Sequence, residues 1–192
     1  MNEAKIILCM FVAVAGFESV HAEDRHLEQG SAEWVDRVKH CISLTDQKTA
    51  AFSAEDWSSL ERIAQFEAKE CREVLDDEEI ASSFEDIAIA RSEGGNPGAA
   101  LKAADDCIRT YYVNAGCHAL RAETLFKIGR QNEARAELNV AGKIASTAIA
   151  NYHEKLDNET EPLDKELYSA KLRELQAVTE RITRDKARWL GK

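Results

Sequence analysis

Proline is scarce, with Pro97 and Pro162 the only two in 192 residues, so long stretches lack the residue that breaks helices. Both methionines, Met1 and Met10, fall within the first ten positions. Everything after them lacks the soft thioether lining of a promiscuous groove. Positive charge is also short: 25 Lys and Arg against 35 Asp and Glu leave a net charge of −10. That deficit excludes a phosphate-tracking nucleic-acid binder, which needs a basic stripe, and disfavours adsorption to an anionic membrane surface. The apolar run from Ile6 to Phe17 has twelve residues, too few for the ~20 that cross a bilayer as a helix. The alternation of β-branched and polar residues that marks a half-buried strand is absent. So are GxSxG, HExxH, a glycine-rich phosphate loop, CxxC and CxxCH. No enzyme is expected on these grounds, and no cofactor.

Residues 1–22 read as an export signal: the Ile6 to Phe17 core is followed by Val20-His21-Ala22, a small-x-small cleavage site. The mature chain then begins at Glu23 and is periplasmic or secreted, with the alanine-rich signal pointing to a bacterial envelope. No membrane insertion is expected after processing. Cys41, Cys71, Cys107 and Cys117 survive the cut, and an even count in an exported chain reads as two disulfides. Sequence alone allows three pairings. Cys41–Cys71 and Cys107–Cys117 are favoured because each joins neighbouring helices.

Ala, Glu, Leu, Lys and Arg dominate the chain beyond residue 30, which favours helix. Ser31 can cap a first helix carrying Trp34, Val38, Ile42 and Leu44, with a polar link expected from Thr45 to Ser53. Ser53 and Asp56 are spaced like a capping box for a second helix that continues through Leu60, Ile63 and Ala64 towards Val74 and Leu75. The acidic run Asp76 to Glu79 suits the positive end of a third helix, which closes at Gly94-Gly95. Pro97 fits the first turn of a fourth helix, and Asn114 can cap a fifth that ends near Gly129. A sixth runs from about Gln131 to about Leu156. After a polar hinge, Asp157 to Pro162, a last helix spans Leu163 to Trp189.

A repeat orders these elements. Gly95, Ala100 and Cys107 return 34 positions later as Gly129, Ala134 and Ala141, and ~34 residues is the length of a two-helix unit. The expected fold is all-α: a short α-solenoid of helix pairs over residues 23–158, closed by a C-terminal capping helix over 159–192. That last helix, with Leu167, Leu172, Leu175, Val178 and Ile182, either covers the open end of the stack or forms a homodimer seam.

Ala122, Gly129, Ala134 and Ala141, with Gly95, Ala100 and Cys107 in the preceding unit, resemble the tetratricopeptide repeat pattern. A third unit between Trp34 and Leu75 fits through Ala64 and Cys71, with a longer link between its helices. The resemblance implies a concave face, lined by the first helix of each unit, that binds a protein or peptide partner. Transferred position by position, this names Glu85, Ile89, Ser92 and Glu93 in one unit and Ala119, Glu123, Phe126 and Lys127 in the next. Ala119 and Glu123 do not match the Lys and Asn of the subtype that clamps a carboxylate terminus. A basic or amphipathic peptide suits this mixed acidic and apolar face better.

The function expected is therefore an exported, non-catalytic adaptor or assembly factor. The same-class alternative is a helical inhibitor or immunity protein against an exported effector. The rival from another class is an enzyme or metal carrier built on His40-Cys41 and Cys117-His118. Helical neighbours point ~100° apart, so one metal rarely takes both members of such a pair, and no metal is expected.

Overall fold

The computed structural model describes residues 28–190, and the expected export signal lies outside them. Seven helices run through these residues: α1 (Ala32–Ser53), α2 (Trp57–Glu70), α3 (Asp77–Glu93), α4 (Pro97–Thr110), α5 (Ala115–Lys127), α6 (Gln131–Asn158) and α7 (Pro162–Leu190). No strand occurs among the described residues. None of these helices is long and apolar enough to cross a membrane.

Local chemistry explains the starts. Ser31 accepts from the Trp34 N–H, Asp56 from Ser59, Asn96 from Ala99 and Asn114 from Cys117, each satisfying an amide that the helix leaves unpaired. Asp76 and Glu79 form a full capping box at α3, as the acidic run suggested. At two places the chain departs from expectation. Thr45 to Ser53 is the end of α1 and no link, because the Thr45, Thr49 and Ser53 hydroxyls each donate to the carbonyl four residues back. Those side chains are thereby satisfied inside the helix, and Lys48 and Ala51 reach the core. Ser53 therefore caps nothing; Asp56 does. Val74 and Leu75 lie past the end of α2, whose C-cap is Cys71.

The repeat is visible in the turns. Asn96 donates its N–H to Arg91 O at 2.8 Å, and 34 residues later Arg130 donates to Leu125 O at 2.9 Å. Gly95 and Gly129 sit in these turns with φ of 80° and 83°, the left-handed conformation glycine adopts without penalty. A third copy joins α1 to α2, where Asp56 donates to Ala51 O at 2.9 Å and Glu55 holds φ 54°. A non-glycine residue there costs roughly 1–2 kcal/mol, and its identity hides the repeat from a search for glycines. Ala100 and Ala134, the small residues of the two better units, are both 0% exposed. The structure is thus a stack of helix pairs whose spacing small side chains set.

Both cysteine pairs are joined as favoured: Cys41–Cys71, with a Cα separation of 5.9 Å, and Cys107–Cys117, at 5.8 Å. The first ties α1 to the end of α2, and the second ties α4 to the start of α5. Apolar packing is continuous along the stack. Cys41, Leu44, Leu60, Ile63 and Ile80 form a cluster at the first end, and Leu125, Leu138, Ile182 and Trp189 form one at the other.

α7 folds back against the stack. Leu172, Ile182 and Trp189 are buried, Trp189 stacks on Phe126 with ring centroids 4.4 Å apart, and Arg181 pairs with Glu123 at 2.5 Å. Lys171 reaches Glu78 of α3 at 2.6 Å. Leu172 and Ile182 of the apolar stripe are thus buried within the chain, and Leu167, Leu175 and Val178 are half-buried.

Candidate functional site

Helix lengths create a feature that simple stacking does not. α5 has 13 residues, whereas α6 and α7 have 28 and 29. At 1.5 Å per residue the antiparallel α6/α7 pair overruns the start of α5 by roughly 20 Å. Beneath that overhang α3 forms the opposite wall, and a cavity of about 990 Å³ lies between.

Each element contributes a different chemistry. α6 brings Ile144, Ala148 and Tyr152, α7 brings Lys171, Leu175 and Val178, and α3 brings Glu78 and Glu85. Tyr111, Val113 and the first turn of α5 complete the lining, and Val113 is among the exposed large apolar side chains. Lys171 holds Glu78 and also lies 3.5 Å from Glu174. Burial alone would depress its ammonium, but these carboxylates outweigh that and hold its pKa above the ordinary lysine value. Burial raises both the Tyr111 and the Tyr152 phenols, keeping them neutral hydrogen-bonding groups. The Lys155 ammonium lies 5.3 Å from the Tyr152 ring centroid and 5.6 Å from that of Tyr168, within cation–π range.

Glu85 stands apart. Its carboxylate lies against Gly116, where an added Cβ would sit 2.8 Å from both oxygens; the missing side chain makes room for it at the start of α5. Loss of solvation, only partly offset by the Arg181 guanidinium, pushes its pKa from 4.5 up to about 7. Between those two values the unfolded chain is ionised while the folded chain keeps the proton. The Glu85 contribution to stability is therefore full below about pH 4.5 and is lost as pH rises through about 7. One pKa unit corresponds to ~1.4 kcal/mol, and water in the cavity reduces the effect, so a fall of roughly 1–3 kcal/mol is expected. Urea titrations at pH 5 and pH 8 check this: Glu85→Gln should flatten the difference, and an unchanged difference would assign it elsewhere.

Of the eight residues expected to face a partner, only Glu85 lines the cavity. Ala119 is buried at 0% exposure, within the cluster that includes Ile182 and Trp189, so it offers no contact surface. Glu123 is paired with Arg181 and Lys127, and Phe126 is stacked under Trp189. Ile89 packs among Ile87, Ala88 and Leu120. Lys127 donates to Ser92 Oγ at 2.7 Å and to Glu93 at 3.3 Å, which ties together the C-terminal ends of α3 and α5. The physical reason is common to Ala119, Glu123 and Phe126: α7 already lies on the face that the resemblance left open. Lys171, Tyr152 and Val178 were not foreseen, although the long breaker-free sixth and seventh helices carried the signal for the overhang.

The two His-Cys pairs are not brought together. Cys41 and Cys117 are bonded to Cys71 and Cys107, and His40 is exposed. His118 is buried, with Nε2 2.9 Å from Tyr112 O and Nδ1 against the Glu137 carboxylate. Arg121 bridges Glu137 to Asp105. Among the described residues no group of three or more His, Cys, Asp or Glu is placed to hold a metal ion.

No family model matches the chain, and neither does any curated protein. Among solved structures the chain is similar in fold to PcrH, crystallised in complex with the chaperone binding region of PopD. The identity is 18%, the likeness covers 83% of this chain and 99% of that one, and the TM-score is 0.48.

Proposed function

We propose that this chain is an exported, non-catalytic binding protein that takes a segment of a partner protein into the cavity beneath the α6/α7 overhang. The observation that carries the reading is the cavity itself. Its volume of about 990 Å³ is at the upper end of ordinary ligand sites, and the antiparallel α6 and α7 both line it. Apolar Ile144, Ala148, Leu175 and Val178 alternate along its walls with carboxylates and amides, a combination that suits an amphipathic segment. Two cysteine pairs at bonding separation support life in an oxidising compartment. An adaptor or assembly factor of an envelope complex is the role that fits.

Ala148→Trp fills the cavity without touching the buried core. Affinity capture with the wild-type chain, repeated with Ala148→Trp, tests the site. A partner retained by the first and reduced at least about tenfold with the second, at equal helicity, supports the cavity, tenfold being ~1.4 kcal/mol of lost contact. Equal capture by both proteins would remove it.

A further inference from the structure

Of the four carboxylates that line the cavity, Glu78 and Glu174 meet Lys171, whereas Glu85 and the solvent-exposed Glu154 have no ion pair; of these two, Glu85 is the one shielded from solvent. Glu67 holds Lys48, Glu123 holds Arg181 and Lys127, Glu137 holds His118 and Arg121, and Glu78 holds Lys171. Among the described residues Glu85 has no hydrogen-bond or ion-pair partner, although it lies on the inner wall of the cavity. The two cations that act on it are both engaged elsewhere. Arg181, from α7, is engaged by Glu123, and Lys48, from α1, is shared by Glu67 and Asp86. The remaining charged neighbours that act on it, Asp86 on its own helix and Glu174 on α7, are acidic and make the deficit worse. From α5 it meets Gly116, with no side chain to offer.

Building on the cavity reading above, we propose that Glu85 seats the ammonium or guanidinium of a lysine or arginine side chain carried by the partner segment. A half-buried ionised carboxylate loses part of its hydration without a compensating pair, and a cation with its own N–H donors restores both charge and hydrogen bonds. The route suits such a side chain. Its methylenes can lie along Leu175 and Val178 of α7, while its charged end reaches the carboxylate on the opposite wall. Gly116 matters because it leaves the carboxylate room to lie at the start of α5. The raised proton affinity of Glu85 has the same origin as the proposal, a carboxylate shielded from solvent and without an ion pair. A guest cation should therefore bind more tightly above about pH 7 than at pH 5, with Asp86, Glu174, Arg181 and Lys48 as the surrounding charges.

The test uses the full chain and fluorescein-labelled nine-residue peptides that alternate leucine and serine around a central position occupied by Lys, Arg, norleucine or Glu. Anisotropy at pH 8 should give Lys and Arg peptides at least about tenfold tighter than norleucine, as a charge-assisted bond does. Glu85→Gln should bring the three together within about threefold, leaving the norleucine peptide unaffected. Glu85→Asp, which keeps the charge but withdraws it by one methylene, should fall between. Binding of all peptides with no preference for Lys or Arg would overturn the cation seat and leave the cavity reading standing. A preference that survives in Glu85→Gln would also overturn it, placing the cation elsewhere. Binding of no peptide would remove the cavity reading and the seat with it.

Discussion

Replacing Lys48 by alanine is expected to lower the unfolding free energy by about 3–5 kcal/mol, the effect of breaking a buried ion pair from one side. Lys48 is 6% exposed and Glu67 1%. The ammonium bridges Glu67 and Asp86, the latter at 2.8 Å. Glu67 is further held by the Thr45 hydroxyl at 2.6 Å and the Ser83 hydroxyl at 2.7 Å, so α1, α2 and α3 meet in one polar knot inside the first cluster. Alanine would leave two carboxylates facing each other without a cation. Burial by itself would depress Lys48, but Asp86 and Glu67 outweigh it and raise its pKa above 10.5. The pair therefore contributes fully below that value and fails only as pH rises through the higher folded value. A domain of this kind has ~5–15 kcal/mol in total, so urea denaturation should show a large shift of midpoint. A wild-type midpoint in Lys48→Ala would mean that the knot contributes nothing.

Loss of the Cys41–Cys71 bond should come close behind. Its partners are 30 residues apart against 10 for Cys107–Cys117. The chain-entropy relation gives about 3.7 kcal/mol for the longer loop and about 2.8 for the shorter. The double variant Cys41→Ala with Cys71→Ala should therefore be less stable than the corresponding Cys107/Cys117 variant, and reductant should destabilise the wild-type chain and leave a variant lacking the four bonded cysteines unchanged. Intact mass before and after reduction reports the bonds directly. Equal stability with and without reductant would place these cysteines among ordinary core residues.

Much of this architecture is legible in the residues, because caps and small side chains act locally. Asp76 with Glu79, Asn114 before Ala115 and the pair Gly95 and Gly129 each announce their turns, and the 34-residue spacing of Ala100 and Ala134 gives the stack. The third copy of the turn is masked by Glu55, since strain tolerated by the surrounding structure leaves no compositional mark. Thr45, Thr49 and Ser53 read as a link until their hydroxyls are seen bonding back along the helix. The surroundings of the candidate site depend on tertiary packing. Glu123 and Phe126 sit where the repeat resemblance puts them, but only tertiary packing reveals that Arg181 and Trp189, some 60 residues further along the chain, return to cover them. Glu85 is the exception, lining the cavity between α3 and α7.

Cavity, guest and cation seat all depend on α7 lying back along α5 and α6. A proton NOE spectrum of the full chain tests this most directly through the Trp189 and Phe126 rings, whose centroids are 4.4 Å apart. Strong cross-peaks between their ring protons, lost in Trp189→Leu, are the predicted result. Sharp Trp189 resonances with no cross-peak to Phe126 would contradict it.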